Sequence, residues 1–333
     1  MNENGEQITT QATAPVIAAG DSLAEGRAGR PRAHRGGIFI GPQGLRAGWS
    51  ILLFAALCAV LWFAAGFFVQ PWMHYRTDEP IPPLAGLLME LSQLVPVMIA
   101  TGLMAMLERR PLLFYGFQGR ARGVRFLSGM VWGFVAISVL VLVLRLLGYL
   151  SIEGRALGGI AALKYACEWG GLFLLVGLTE ESTFRGYVQF TITRGIGFWW
   201  GMLLFAAIFG LMHRTNPGES PVGLLGVCGA GLIFCLSLWY TGSLWWAVGF
   251  HAAWDWGQSY FYGTADSGMM AQGHLFSEHA VGRALWSGGA TGPEGSVLVF
   301  PLLVVVALTM YFWWGRRGES PFAGAAWRPM RME

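Results

Sequence analysis

Gly170-Gly-Leu-Phe-Leu-Leu-Val-Gly-Leu-Thr-Glu-Glu-Ser-Thr-Phe-Arg185 is the stretch on which the reading of this chain turns. An unbroken apolar run from Gly170 to Leu178 leads directly into two adjacent carboxylates and an arginine. The rest of the chain decides what solvent surrounds them. Of its 333 residues 54% are hydrophobic and 12% charged, against roughly 25% charged in an ordinary soluble domain. With 16 Trp, 22 Phe and 48 Gly, this composition excludes a soluble globular protein. It describes an all-α, polytopic membrane bundle, in which apolar side chains face lipid and small residues let helices approach closely. Glu180, Glu181 and Arg185 then belong to a helix within the membrane, where an acidic residue costs about 2.5 to 3.5 kcal/mol at the centre and marks a functional site by default.

About 20 mainly apolar residues are needed to cross the hydrocarbon core. Eight segments are candidates: Trp49 to Val69, Leu84 to Leu107, Phe126 to Leu147, Leu163 to Phe190, Phe198 to Met212, Val222 to Tyr240, Gly242 to Phe261 and Ser296 to Trp314. Together they form one unit over residues 48–315, with its polar motifs within 170–260. It is preceded by a Gly-, Pro- and Arg-rich tail, 1–47, too poor in apolar residues to order itself, and followed by a short tail, 316–333. The first span is too long for a cleavable signal and reads as a permanent anchor. With both termini inside, cytoplasmic segments hold 16 Lys and Arg and external ones 5. The charge asymmetry therefore places both termini in the cytoplasm of a cell (plasma) membrane protein. A net charge of +3 is too balanced for nucleic-acid binding. The four cysteines sit in apolar runs without metal-type spacing. The longest connection, 263–295, reads as irregular or re-entrant, with His274 and His279 as solvated loop residues. Arg145 snorkels from a helix end, and Glu90 either serves the polar cavity or, the better expectation, meets a helix backbone or polar neighbour.

Further polar residues stand in other apolar spans: His213 in Phe209-Gly-Leu-Met-His213, and His251 with Asp255 in His251-Ala-Ala-Trp-Asp255. Glu181 and Arg185 are i,i+4 with the acid first, the favourable order for an ion pair. Glu180 points about 100° away and is left as the free carboxylate. His251 and Asp255 share a helix face. Glu180 and His213 lie 16 and 17 residues from the turn at Ile196, hence at nearly equal height, and the groups of the His251 span fall roughly 14 to 20 Å from its start. The four groups can converge in one cavity. Spacing equally admits polar pairs that merely pack helices together.

Glu-Glu-x-x-x-Arg, then Phe-x-x-x-His, then His-x-x-x-Asp, each in an apolar span, resembles the CPBP intramembrane proteases, which include the type II CAAX prenyl endopeptidases and bacteriocin-immunity homologues. The resemblance covers roughly Arg109 to Phe261. It implies a glutamate-dependent peptidase in which Glu180 with His213 activates a water while His251 and residue 255 stabilise the oxyanion. Glu181, Arg185 and Phe209 give structural support. The substrate implied is a peptide or protein at the membrane lipid, lipidated in the prenyl proteases. The prenyl proteases carry Asn where this chain has Asp255, which must be protonated to donate or else orient His251. Glu180, His213, His251 and Asp255 would also suit zinc or iron, but no His-Glu-x-x-His helix accompanies them, and the expectation is a metal-independent site without a cofactor. The rival classes are a non-catalytic scaffold or immunity protein and a proton-coupled transporter. Filled catalytic-type positions favour the enzyme, and no inverted repeat supports the transporter.

Overall fold

The computed structural model describes residues 37–323 apart from 42–43, 73–79, 120, 317 and 319. Most of the N-terminal tail and the end of the C-terminal one lie outside the described residues. Helices α1 (Ala47–Val69), α2 (Pro83–Leu107) and α3 (Arg122–Leu146) come first, followed by α4 (Gly159–Glu181), which continues through a wide π-turn into α5 (Val188–Ile196). After α5 come α6 (Phe198–Met212), α7 (Pro221–Thr241), α8 (Trp245–Asp255), the single turn α9 (Ala284–Ser287) and α10 (Val299–Met310). The protein is an all-α integral membrane bundle. Among the described residues five continuous helices are long and apolar enough to span a membrane: Ala47–Trp72, Pro83–Leu107, Arg122–Leu146, Gly159–Ile196 and Pro221–Thr241. Of the other three expected spans, α6 keeps its expected bounds and ends at the polar turn His213–Thr215, while α8 and α10 are shorter than expected and pass into π-turns at Trp256–Phe261 and Tyr311–Gly315.

Local chemistry explains the boundaries. Pro83 starts α2 and Pro221 starts α7, positions where the missing N–H costs nothing. The Ser220 hydroxyl accepts from Gly223 N at 2.9 Å and caps α7. Between α5 and α6 the chain reverses at Gly197, whose φ of 88° is open to glycine and strained for other residues.

Close packing places α8. A Cβ at Gly129 or Gly133 of α3 would overlap the carbonyl oxygens of Trp246 and Phe250, and one at Gly249 of α8 would overlap Phe126 O. The Gly129-x-x-x-Gly133 pair thus lets the two backbones touch. On its other side α8 meets Gly177 of α4, where an added Cβ would lie 3.0 Å from Val248 O. Held between α3 and α4, α8 presents His251 and Asp255 to the end of α4.

The bundle has two unlike ends. One gathers Arg46, Arg109, Arg110, Arg122, Arg125 and Arg194 at the termini of α1, α2, α3 and α5. The opposite end carries the segment 263–295, which is more ordered than the sequence suggests. Its strand β4 (Phe276–Ala280) pairs antiparallel with β3 (Leu150–Arg155), and Ala271 bridges Ile81 at the start of α2. His279 is exposed and meets Glu153 at 3.2 Å, while His274 is half-buried with its Nε2 3.0 Å from Ser277 Oγ. One tail expectation changes as well, since β1 (Ile40–Gly41) pairs antiparallel with β2 (Gly44–Leu45) inside the stretch expected to be unordered. In the C-terminal tail, buried Phe322 packs on Phe190, Phe198 and Trp239.

Candidate active site

The site is built where α4 loses its regular winding. Directly after Glu181 the backbone widens into the π-turn Ser182–Tyr187, with Gly186 at a non-helical ψ of −121°. A second π-turn follows Asp255. Such turns interrupt the i to i−4 ladder and recur at functional sites. Here each follows a carboxylate of the same cavity.

That cavity, about 410 Å³, lies between α2, α4, α6, α7 and α8 and is bounded at its outer end by Asp266, Met269, Met270 and Glu294 of the 263–295 segment. Glu180, His213, His251 and Asp255 all line it, and Glu90 of α2 joins them. The four residues expected at one site therefore share one cavity. Glu90 lines the polar space and also meets a polar neighbour, Thr179, so both alternatives for it apply.

The two glutamates behave differently. Glu181 and Arg185 have fully buried side chains and pair at 3.1 Å. Arg185 stacks over Phe209 at 4.2 Å, with Phe234 and Phe184 at 5.4 and 5.7 Å, and Gly231 leaves room for its guanidinium. Three ring faces substitute for hydrogen-bond acceptors around this cation, whose Nε and Nη2 have none. Phe209 and Arg185 thus pack against each other beside the cavity. Glu181 does more, because its Oε1 also accepts from His251 Nδ1 at 3.2 Å. Glu180, 27% exposed, is not the free carboxylate that its helix position suggests: its Oε2 is 3.4 Å from His251 Nε2. Helical spacing reports contacts along one helix and is silent about α8, which supplies this partner. Asp255 Oδ2 lies 3.6 Å from the same Nε2, beyond hydrogen-bonding distance. Orientation of His251 therefore belongs to Glu181, and Asp255 is left with its carboxyl uncommitted to the ring.

His213 stands at the end of α6, where its Nδ1 donates to Phe209 O at 2.8 Å. In the neutral ring this bond selects the tautomer with Nε2 as the acceptor. The ring that meets Glu180 directly is that of His251. Among the described residues no group of three or more His, Cys, Asp or Glu side chains has the geometry of a metal site.

Residues 162–257, under a third of the chain, match the family described as type II CAAX prenyl endopeptidase Rce1-like. The matched segment covers the middle of the bundle. It begins at the first turn of α4, ends just past Asp255 and contains all four expected positions, whereas the 263–295 segment lies beyond it. No curated protein matches the chain. The family that this segment matches is one of membrane-bound prenyl endopeptidases.

Asp266 and Glu294 are site residues that the sequence reading missed. Ser259 Oγ donates to Asp266 Oδ2 at 2.9 Å, and Ser267 donates through N and Oγ to Glu294 Oε1 at 2.6 and 2.9 Å. Burial pushes both carboxyls above the usual range, Asp266 strongly, and neighbouring acids add to the effect. They sit in an irregular, glycine-rich segment with no periodicity to point them inward.

Proposed function

We propose that this protein is a metal-independent intramembrane endopeptidase in which Glu180 is the general base. The observation that carries the reading is a carboxylate opening into an apolar-walled cavity beside a histidine whose other nitrogen is held by a buried, ion-paired glutamate. Glu180 takes a proton from water, and the hydroxide attacks the scissile carbonyl carbon. His213, an Nε2 acceptor on the same cavity, helps to orient that water. Both ring nitrogens of His251 face carboxylate oxygens, an arrangement suited to an imidazolium that donates from both. Its Nε2–H, with Asp255, is placed to stabilise the oxyanion. On collapse of the tetrahedral intermediate the proton on Glu180 passes to the leaving amine.

The test is cleavage of an internally quenched farnesylated peptide by protein reconstituted in liposomes. Glu180→Gln is expected to lower the rate by about 10² to 10⁴, the usual contribution of a general base, and EDTA is expected to leave wild-type cleavage intact. Activity lost on chelation and restored by zinc would contradict metal independence. We infer further that the arginine-rich end is cytoplasmic, supported by the arginines gathered there. Reporter fusions at residue 40 and after residue 320 should both read cytoplasmic, and a split result would contradict it. In that orientation the end of the cavity bounded by the 263–295 segment faces away from the cytoplasm.

A further inference from the structure

We propose that Glu108 is a positioning residue for the cleavage site, acting through Tyr187 to hold the π-turn that follows Glu180 and Glu181. The proposal rests on the endopeptidase reading of the cavity. Glu108 stands at the C-terminal end of α2, where a carboxylate meets the negative end of the helix macrodipole and gains nothing from it. Three donors on its two oxygens account for its place. Tyr187 and Arg194 donate to Oε1 at 2.6 and 2.9 Å, and Tyr115 donates to Oε2 at 3.0 Å. Both tyrosines are buried, and their rings meet edge to face with centroids 4.9 Å apart. One carboxylate therefore joins the end of α2 to the connection after it, to the π-turn and to α5.

The π-turn is where α4 and α5 need an outside hold. From Ser182 to Tyr187 the winding is wide, and Gly186 takes a non-helical ψ of −121°, so the ladder that would make the two helices one rod is interrupted. The turn is also cavity wall, since Thr183 and Phe184 line the cavity beside Glu180. Its inner side is fixed by Arg185, through Glu181 at 3.1 Å and the Phe209 ring at 4.2 Å. Its far end is Tyr187, whose ring stacks on Phe54 of α1 at 4.8 Å and whose hydroxyl reaches Glu108. A hydrogen bond to an ionised acceptor is short and strong, and here it fixes where the turn ends. A general base must stay within hydrogen-bond reach of its water, and a misplacement of about 1 Å can cost about 10²-fold in rate. Neither Glu108 nor Tyr187 lines the cavity, so their effect on Glu180 passes through the backbone of the turn. Glu108 precedes the matched segment 162–257, whereas Tyr187 lies inside it, so the anchor comes from outside the segment it holds.

The test uses the full chain in liposomes with the quenched farnesylated peptide. Tyr187→Phe removes one hydroxyl and keeps the ring on Phe54, while Tyr115→Phe removes the other hydroxyl from the same carboxylate. Tyr187→Phe is expected to lower kcat by about 10 to 10² with KM near the wild-type value, because the side chains that meet substrate are unchanged and the base is displaced. Tyr115→Phe, equally buried, is expected to keep the wild-type kcat. Glu108→Gln should lose as much as Tyr187→Phe, and the two together no more than either alone, since both act through one bond. Should Glu108→Gln fail to accumulate, the two tyrosine variants carry the test. Protein labelled with ¹⁵N at its six histidines reads the site without substrate. The His251 signal, identified by its loss in His251→Gln, is expected to shift in Tyr187→Phe and to stay in place in Tyr115→Phe, because its ring nitrogens face Glu180 and Glu181. A wild-type kcat or an unmoved His251 signal in Tyr187→Phe overturns the proposal. So does an equal loss of kcat in both tyrosine variants, the result of a cluster that only stabilises the fold. Cleavage indifferent to Glu180→Gln, with the His251 signal shifted as expected, would instead overturn the endopeptidase reading.

Discussion

Glu180 and Glu181 are neighbours in the chain and opposites in the fold. One opens into the cavity with its carboxylate 3.4 Å from His251 Nε2; the other is sealed, with Arg185 and His251 Nδ1 on a single oxygen. A step of about 100° around a helix separates a group free to meet water from one that shapes the histidine beside it. The lesson is that an intramembrane carboxylate takes its role from what neutralises it.

The largest stability effect that would break this comparison is expected at Glu181. Glu181→Gln leaves the Arg185 cation buried without its counter-ion and frees His251 to rotate. Breaking a buried pair in this way costs about 3 to 5 kcal/mol, so the variant should show a markedly lower unfolding temperature and reduced abundance. Glu180→Gln, which removes a partly exposed group, should unfold near the wild-type temperature while losing cleavage. Equal stability of the two variants would mean that the sealed and open roles are misassigned.

A smaller effect sharpens the same rule at Glu278 of β4, a buried carboxylate with no hydrogen-bond donor at either oxygen. Burial pushes it up to about 7, partly offset by Arg145. Since the folded protein binds this proton more tightly than the unfolded chain, stability is fully present below the unfolded carboxylate range and declines as pH rises toward 7. The total is at most about 3 kcal/mol. Glu278→Gln should flatten that decline, so that its unfolding temperature exceeds that of the wild type at pH 8 by more than at pH 5. A parallel pH dependence in both proteins would contradict the assignment.

Much of this was legible in the sequence, for reasons that differ by residue. The helices announce themselves because a span needs a run of apolar residues, and the Glu181–Arg185 pair because i,i+4 spacing is a property of one helix. The bond from Glu181 to His251 crosses 70 positions, and no local pattern encodes it. The π-turns after Glu181 and Asp255 occupy stretches that look like ordinary helix in the sequence. Asp266 and Glu294 escaped because an irregular segment has no period to aim its side chains. The short α6 has its observed bounds in the sequence, whereas α8 reads as a full span because hydropathy runs on through the turn where its winding changes.

The most direct test of the central claim is a comparison of membrane-protein termini in cells carrying equal amounts of wild-type protein and Glu180→Gln. The account predicts a set of new termini within or beside membrane segments that are present with the wild type and missing with Glu180→Gln. An identical set of termini in both, at matched abundance, would contradict Glu180 as the base and leave the polar cavity without a catalytic role.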